Sequence, residues 1–371
     1  MRLTTFRARH RLDDTMLLLP RRARGSIVRR AARAAAAALA LGFPACSSSY
    51  PNPFENSNQM VPPPAAARIV FAANTWAARG GGGHDLFAVD DTGATVTRLT
   101  FCNTADRVCD YVEAIPGPSR ERQAVRRLVD TDGDGKITAA DGESLRILDL
   151  ARAVEGELVS GNAHVSGADW SPGEEVLYYS ATGAGGVEDL YQVTSNGQSN
   201  QDLTSSTGVR ERRPRFNLGG TALAFERIEG AVRGQVWIAT SLGLRALDAG
   251  GTQGDALAGT PYLVGSDADP VFSPDGRNIA FRRLVATGNG GLGVWDLMVI
   301  STQTTGALPT TLATGPAFRG APDWGTGGII LIESAAGSGP QLVLVNPDTG
   351  DRRVLFTAGA GFDLGFPHWL K

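Results

Sequence analysis

The chain has 371 residues, 42% hydrophobic and 20% charged, which is enough apolar length for a sizeable core and excludes a disordered chain. Its formal net charge of −3 hides an asymmetry: residues 1–45 hold ten Arg and two acids, leaving 25 basic against 36 acidic residues beyond. A remainder near −11 lacks the basic footprint that phosphate-backbone binding needs, so nucleic acid is excluded as a partner.

In chain order, residues 1–20 form a long polar lead, and Met16 or a later codon is a candidate start, so this stretch is left out of fold reasoning. Arg21, Arg22, Arg24, Arg29, Arg30 and Arg33 then precede an apolar run, Ala34 to Phe43. Ten residues are too few to span a bilayer, and the pattern is that of an export signal over residues 1–45. Phe43-Pro44-Ala45-Cys46 resembles the lipobox of bacterial lipoproteins, although Phe43 and Pro44 depart from the usual Leu-(Ala/Ser) pair. The resemblance implies acylation of Cys46 and anchoring in the bacterial cell envelope, at the outer membrane; a plainly cleaved secretory signal is the alternative. Residues 46–67 are rich in Ser, Pro and Asn without hydrophobic period, as expected of a flexible tether, and the folded body runs from 68 to 371.

Cys102 and Cys109 follow, separated by six residues of polar loop character. In an exported protein they are expected to form a disulfide, with two free thiols as the alternative. Next comes Asp130-Thr131-Asp132-Gly133-Asp134-Gly135-Lys136-Ile137-Thr138-Ala139-Ala140-Asp141. Calcium takes six to eight oxygens, and this spacing offers the carboxylates of Asp130, Asp132, Asp134 and Asp141 and the Lys136 carbonyl around one point, with Thr138 at the ninth position. Gly135 permits the sharp turn. The loop resembles those of EF-hands and, through Asp141 in place of Glu, those of dockerins. Calcium in a structural role is expected, and an acidic turn without an ion is the alternative. Gln123 to Val129 and Ser144 to Leu150 on either side are strand-like, not helical.

The rest of the body repeats. Asp269-Pro-Val-Phe-Ser-Pro-Asp-Gly-Arg-Asn-Ile-Ala-Phe281 is its clearest copy, with Ser273 to Gly276 supplying turn chemistry between two apolar runs. Worn copies start at Ile115, Asp169, Pro214 and Ala321, each leading to a strand such as Asp189 to Val193, Gln235 to Ala239, Val294 to Ile300 or Gln341 to Val345. The aromatic anchors Trp170, Phe216, Phe272, Trp324 and Trp369 lie 46, 56, 52 and 45 residues apart. Four strands per period of that length predict propeller blades. Arg68 to Phe71 and Asp85 to Asp90 form a blade without its Pro-x-Trp strand, and Phe366-Pro367-His368-Trp369 is such a strand without a blade. The fold class expected is therefore all-β: a six-bladed propeller of four-stranded blades, its ring closed by the C-terminal strand. This repeat resembles that of the TolB-type propellers, Pro-x-Trp-Ser-Pro-Asp-Gly followed by Ile-Ala-Phe and Leu-Tyr-x-Val-Asp strands. TolB itself carries a further domain ahead of its propeller, for which the 21 residues between Cys46 and Arg68 leave no room.

Catalytic motifs are sparse. Gly288-Asn289-Gly290-Gly291-Leu292-Gly293 matches a dinucleotide fingerprint but leads into a strand, so it reads as a loop. His84, His164 and His368 are scattered, and no Gly-x-Ser-x-Gly elbow exists. Arg210, Arg212 and Arg213, just before the expected innermost strand of one blade, form a candidate anion site at the channel mouth, with a self-paired surface run as the alternative. The function expected is a non-enzymatic envelope lipoprotein whose propeller binds a protein or glycan partner. A hydrolase or lyase with its site in the central channel is the alternative.

Overall fold

The computed structural model describes residues 60–371 apart from 75–82, 102–108, 130–141, 160–164, 184–185, 248–253, 289–292, 316–317, 336–338 and 360–362. Its regular elements are all strands: β1 (Ile69–Asn74), β2 (His84–Val89) and β3 (Val96–Arg98); then β4 (Cys109–Pro116), β5 (Arg122–Val129), β6 (Gly142–Asp149) and β7 (Val154–Val159); then β8 (Val165–Trp170), β9 (Val176–Thr182), β10 (Glu188–Thr194) and β11 (Asn200–Asp202). They continue with β12 (Val209–Phe216), β13 (Ala222–Glu229), β14 (Gln235–Thr240) and β15 (Gly243–Ala246), and with β16 (Asp267–Phe272), β17 (Asn278–Ala286), β18 (Val294–Ser301) and β19 (Thr310–Ala313). The last are β20 (Phe318–Gly325), β21 (Gly328–Ala335), β22 (Gly339–Val345), β23 (Arg352–Thr357) and β24 (His368–Trp369).

These make six four-stranded antiparallel sheets, five of consecutive strands and one ordered β24-β1-β2-β3. The propeller expected from the repeat is therefore present. The closing strand enters blade 1 by pairing Ile69 with Trp369 and Val70 with His368. An Ala73–Leu364 bridge and the bond from Leu370 N to Arg68 O extend the junction. Trp369 is seated by a bond from its indole nitrogen to Gly328 O at 3.0 Å. Gly325 and Gly327 leave the space its ring needs, since a Cβ at either would stand 2.4 or 2.5 Å from it.

Burial explains the strand types. β1 is apolar and buried at its first five positions, as a strand covered on both faces by neighbouring blades must be, and ends on the polar Asn74. β11, at an outer edge, is only Asn-Gln-Asp and fully exposed, a short polar edge that discourages pairing with another chain. The apolar side chains gather where blades meet: Ile69, Phe71 and Trp369 of blade 1 pack with Ile330 and Leu342 of blade 6. Val271 and Ala280 of blade 5 likewise meet Ile329 and Leu331 of blade 6. Each fully buried Phe or Ile in these layers contributes about 1.5–3 kcal/mol.

The Ser273–Gly276 stretch is a β17-entry turn and nothing more. Gly276 has φ +70°, its amide donates to Ser273 O at 2.8 Å, and the Asp275 carboxylate accepts from Ser273 Oγ at 2.6 Å and from Arg277 N at 3.0 Å. The Ser273 hydroxyl holds the Asp275 carboxyl below the usual range. Residues 130–141 connect β5 to β6, whose ends Val129 and Gly142 are paired. They lie outside the described residues, as do Cys46, Cys102 and the side chain of Cys109.

Candidate functional site

The innermost strand of each complete blade breaks register once. The shifts fall between Tyr111 and Glu113, Val165 and Gly167, Arg212 and Arg215, Ala268 and Val271, and Arg319 and Asp323. Arg213 and Asp269 sit at these bulges with φ +54°, and Gly320 with φ +71°. A bulge re-aims the residues around it. Here Glu113, Gly167, Arg213, Asp269 and Ala321, one from each of five blades, converge on a common channel waist closed around with Pro214, Pro270 and Pro322. The cavity left there is about 10 Å³, room for about one water.

Charge fills this waist. Glu113 accepts from Arg126 Nη1 at 3.0 Å and from His368 Nε2 at 2.9 Å. Burial pushes its carboxyl up, but the His368 hydrogen bond and the Arg126 charge outweigh that and hold it well below the usual range. His368 is engaged on its other side as well, where Arg215 Nη1 lies 3.2 Å from Nδ1. Arg215 also pairs with Asp323, which in turn accepts from Trp369 N at 2.7 Å. Asp169 takes Phe216 N at 2.8 Å and lies 3.4 Å from Lys371 Nζ. On the opposite side Asp269 accepts from Arg282 Nε at 2.7 Å, and its own amide donates to Glu226 Oε1, also at 2.7 Å. Burial raises both of these carboxyls; the Arg282 and Arg213 charges bring Asp269 below the usual range, whereas the neighbouring Asp269 charge helps keep Glu226 above it.

Arg210, Arg212 and Arg213 lie inside β12, not ahead of it as the sequence spacing predicted, because the bulge lengthens that strand by drawing in the charged run. They do not converge on one point. Arg210 is 45% exposed and 3.6 Å from Glu188. Arg212 donates to Glu188 at 2.9 Å and to the Tyr262 hydroxyl at 2.8 Å. Arg213 enters the waist, 3.4 Å from Asp269 and with its guanidinium 4.5 Å from the centre of the Phe366 ring.

A second cavity, of about 250 Å³, opens between blades 1, 2 and 6, where β2, β4 and β20 begin. His84 and Asp110 form one wall, Nδ1 to Oδ1 at 2.7 Å, and the same oxygen accepts His84 N at 3.1 Å. Burial lowers the affinity of His84 for its proton, but the Asp110 bond and charge, with Asp363 and Asp85 nearby, raise it overall. Arg319 and Phe366 face them. Among the described residues no group of three or more His, Cys, Asp or Glu side chains is placed to hold a metal ion. Sequence reading took His84 and His368 for isolated turn or packing residues. Their carboxylate partners are 26 and 255 residues away, beyond any local spacing.

No family model matches the sequence, and no curated protein does. Solved structures do. TolB from Acinetobacter baumannii aligns at TM-score 0.61 and 14% identity, covering 82% of this chain and 66% of that one. The putative TolB from Agrobacterium tumefaciens aligns at 0.51 and 13%, covering 82% and 98%. A chain of a nidogen/laminin complex aligns at 0.56 and 8%, again covering 82% and 98%. At such identities the likeness concerns the fold. The present chain spans just under two thirds of the Acinetobacter protein. Together with the six closed blades, these neighbours give the chain the fold of the TolB-like six-bladed β-propellers.

Proposed function

We propose that this protein is a non-enzymatic, lipid-anchored propeller of the bacterial cell envelope that binds a protein or glycan partner, with calcium ordering the 130–141 loop of blade 2. The observation that carries the reading is the state of the waist: both ring nitrogens of His368 are engaged, Glu113 is held ionised by its neighbours, and the gap admits about one water. Groups so committed hold blades together and leave recognition to the surface. The nidogen/laminin neighbour comes from a protein complex, a use that a propeller of this build supports. The basic segment before Ala34, and Cys46 after it, support export and anchoring.

Crosslinking in cells followed by mass spectrometry tests the reading. A single stable envelope partner is expected, and a protein recovered alone would overturn it. Radioactive palmitate is expected to label the wild type and not Cys46→Ser. Calcium is expected to raise the melting temperature, and Asp132→Ala to remove the rise. One observation favours the second reading, an enzyme: a His84–Asp110 pair beside a cavity is an arrangement able to move a proton. On that reading a hydrolase or lyase activity disappears in His84→Ala.

A further inference from the structure

Arg319 is half-buried and, among the described residues, has no carboxylate within ion-pair distance; buried guanidinium nitrogens without a hydrogen bond occur on Arg213 too, but that side chain lies 3.4 Å from Asp269. Arg126, Arg215 and Arg282 each reach a carboxylate of the waist. The Nε of Arg319 is buried and has no hydrogen-bond partner among the described residues. A buried N–H left unmade is costly and rare, and a ligand or an ordered water is what completes it. Arg319 lines the 250 Å³ cavity at the mouth, and the two acids sharing that cavity make no ion pair with it. Asp110 is bound by His84, and Asp363 Oδ1 accepts from Leu364 N at 3.0 Å.

Much of the remaining lining is apolar and built to stay in place. Phe366 and Ile332 line the cavity, and a Cβ on Gly320 would stand 3.1 Å from the Phe366 ring. Gly365 could not carry one either, since it would meet Val112 O at 2.5 Å. The backbone thus brings a hydrophobic surface into the same cavity as a guanidinium fork and a histidine whose proton affinity is raised. A carboxylate matches the fork in two parallel hydrogen bonds, and the phenyl and sec-butyl surfaces suit a small apolar body. The volume lies below the roughly 300–1,000 Å³ of drug-sized pockets, so it fits one residue-sized group.

We propose that the cavity between blades 1, 2 and 6 is a binding site for a small organic carboxylate with an apolar body, its carboxylate on Arg319 and His84 and its body against Phe366 and Ile332. This deepens the binding reading above, by naming what the channel mouth recognises.

Calorimetric titration of the full chain with N-acetyl-leucine, N-acetyl-leucine amide and glucuronate tests it. The expected result is binding of N-acetyl-leucine at least about ten-fold tighter than of the amide or the sugar acid, a loss of about ten-fold or more in Arg319→Gln, and an intermediate affinity in Arg319→Lys, which keeps the charge without the fork. Equal binding of acid and amide, or unchanged binding in Arg319→Gln, would overturn it. Tighter binding of glucuronate would overturn the apolar body. Binding of none of the three, with the crosslinked partner still captured by both wild type and Arg319→Gln, would overturn the pocket while leaving the partner reading standing.

Discussion

The channel waist and the cavity at its mouth are made of the same kinds of side chain, arginine, histidine and carboxylate, and two innermost strands, β4 and β20, run through both. In the waist the guanidinium groups stand among carboxylates: Arg126 against Glu113 and Glu143, Arg215 against Asp323, Arg282 against Asp269, and Arg213, although two of its nitrogens make no hydrogen bond, 3.4 Å from Asp269. At the mouth His84 holds Asp110 through Nδ1, and Arg319 has no carboxylate within ion-pair distance among the described residues. Buried charge set among opposite charges specifies structure, whereas a guanidinium that no carboxylate answers points to recognition. The difference separates scaffold from site within a few residues of one strand, since Arg319 and Asp323 both belong to β20.

The largest effect should come from breaking the waist. Glu113→Ala leaves Arg126 and His368 facing an uncompensated gap between blades 1, 2 and 4, and should cost about 3–5 kcal/mol in urea unfolding. Acid should do the same more gradually. Glu113, Asp169 and Asp269 all have folded pKa values below their unfolded ones, so their stabilisation is complete above the ordinary carboxylate range near pH 4 and is lost as pH falls below it. A melting temperature that declines from about pH 4 downward, and less steeply in Glu113→Ala, is the expected profile.

Gly320→Ala sharpens the comparison at the mouth. At φ +71° and against Phe366 it should cost about 1–2 kcal/mol and disturb the cavity wall without touching the waist charges. Arg210→Ala should be the mildest, within about 0.5 kcal/mol, because its pairing with Glu188 is long and exposed.

The two regions were also unequally legible. The blades could be read from Pro-x-Trp anchors and turn residues because these are local: the Ser273–Gly276 turn is closed mainly by bonds to residues within five positions of Ser273. Even the closing strand was legible, since Phe366 to Trp369 repeats the spacing of an innermost strand. The bulges were not, because nothing in Arg212-Arg213-Pro214-Arg215 states that one residue will be skipped in pairing. Without the bulges, the meeting of Glu113, Arg213 and Asp269 from three blades has no sequence signature, and neither does the His368–Glu113 bond that joins the C-terminal strand of blade 1 to β4 of blade 2. Arg319 was invisible for the opposite reason: its significance is an unmade hydrogen bond, which only coordinates reveal.

The division between paired waist and spare mouth arginine is tested most directly by the urea stability of Arg319→Gln set beside that of Glu113→Ala. The account predicts that Arg319→Gln unfolds within about 0.5 kcal/mol of wild type, or slightly later, because it removes a charge that no carboxylate of the fold answers. A loss approaching that of Glu113→Ala would show that Arg319 belongs to the scaffold and would contradict it.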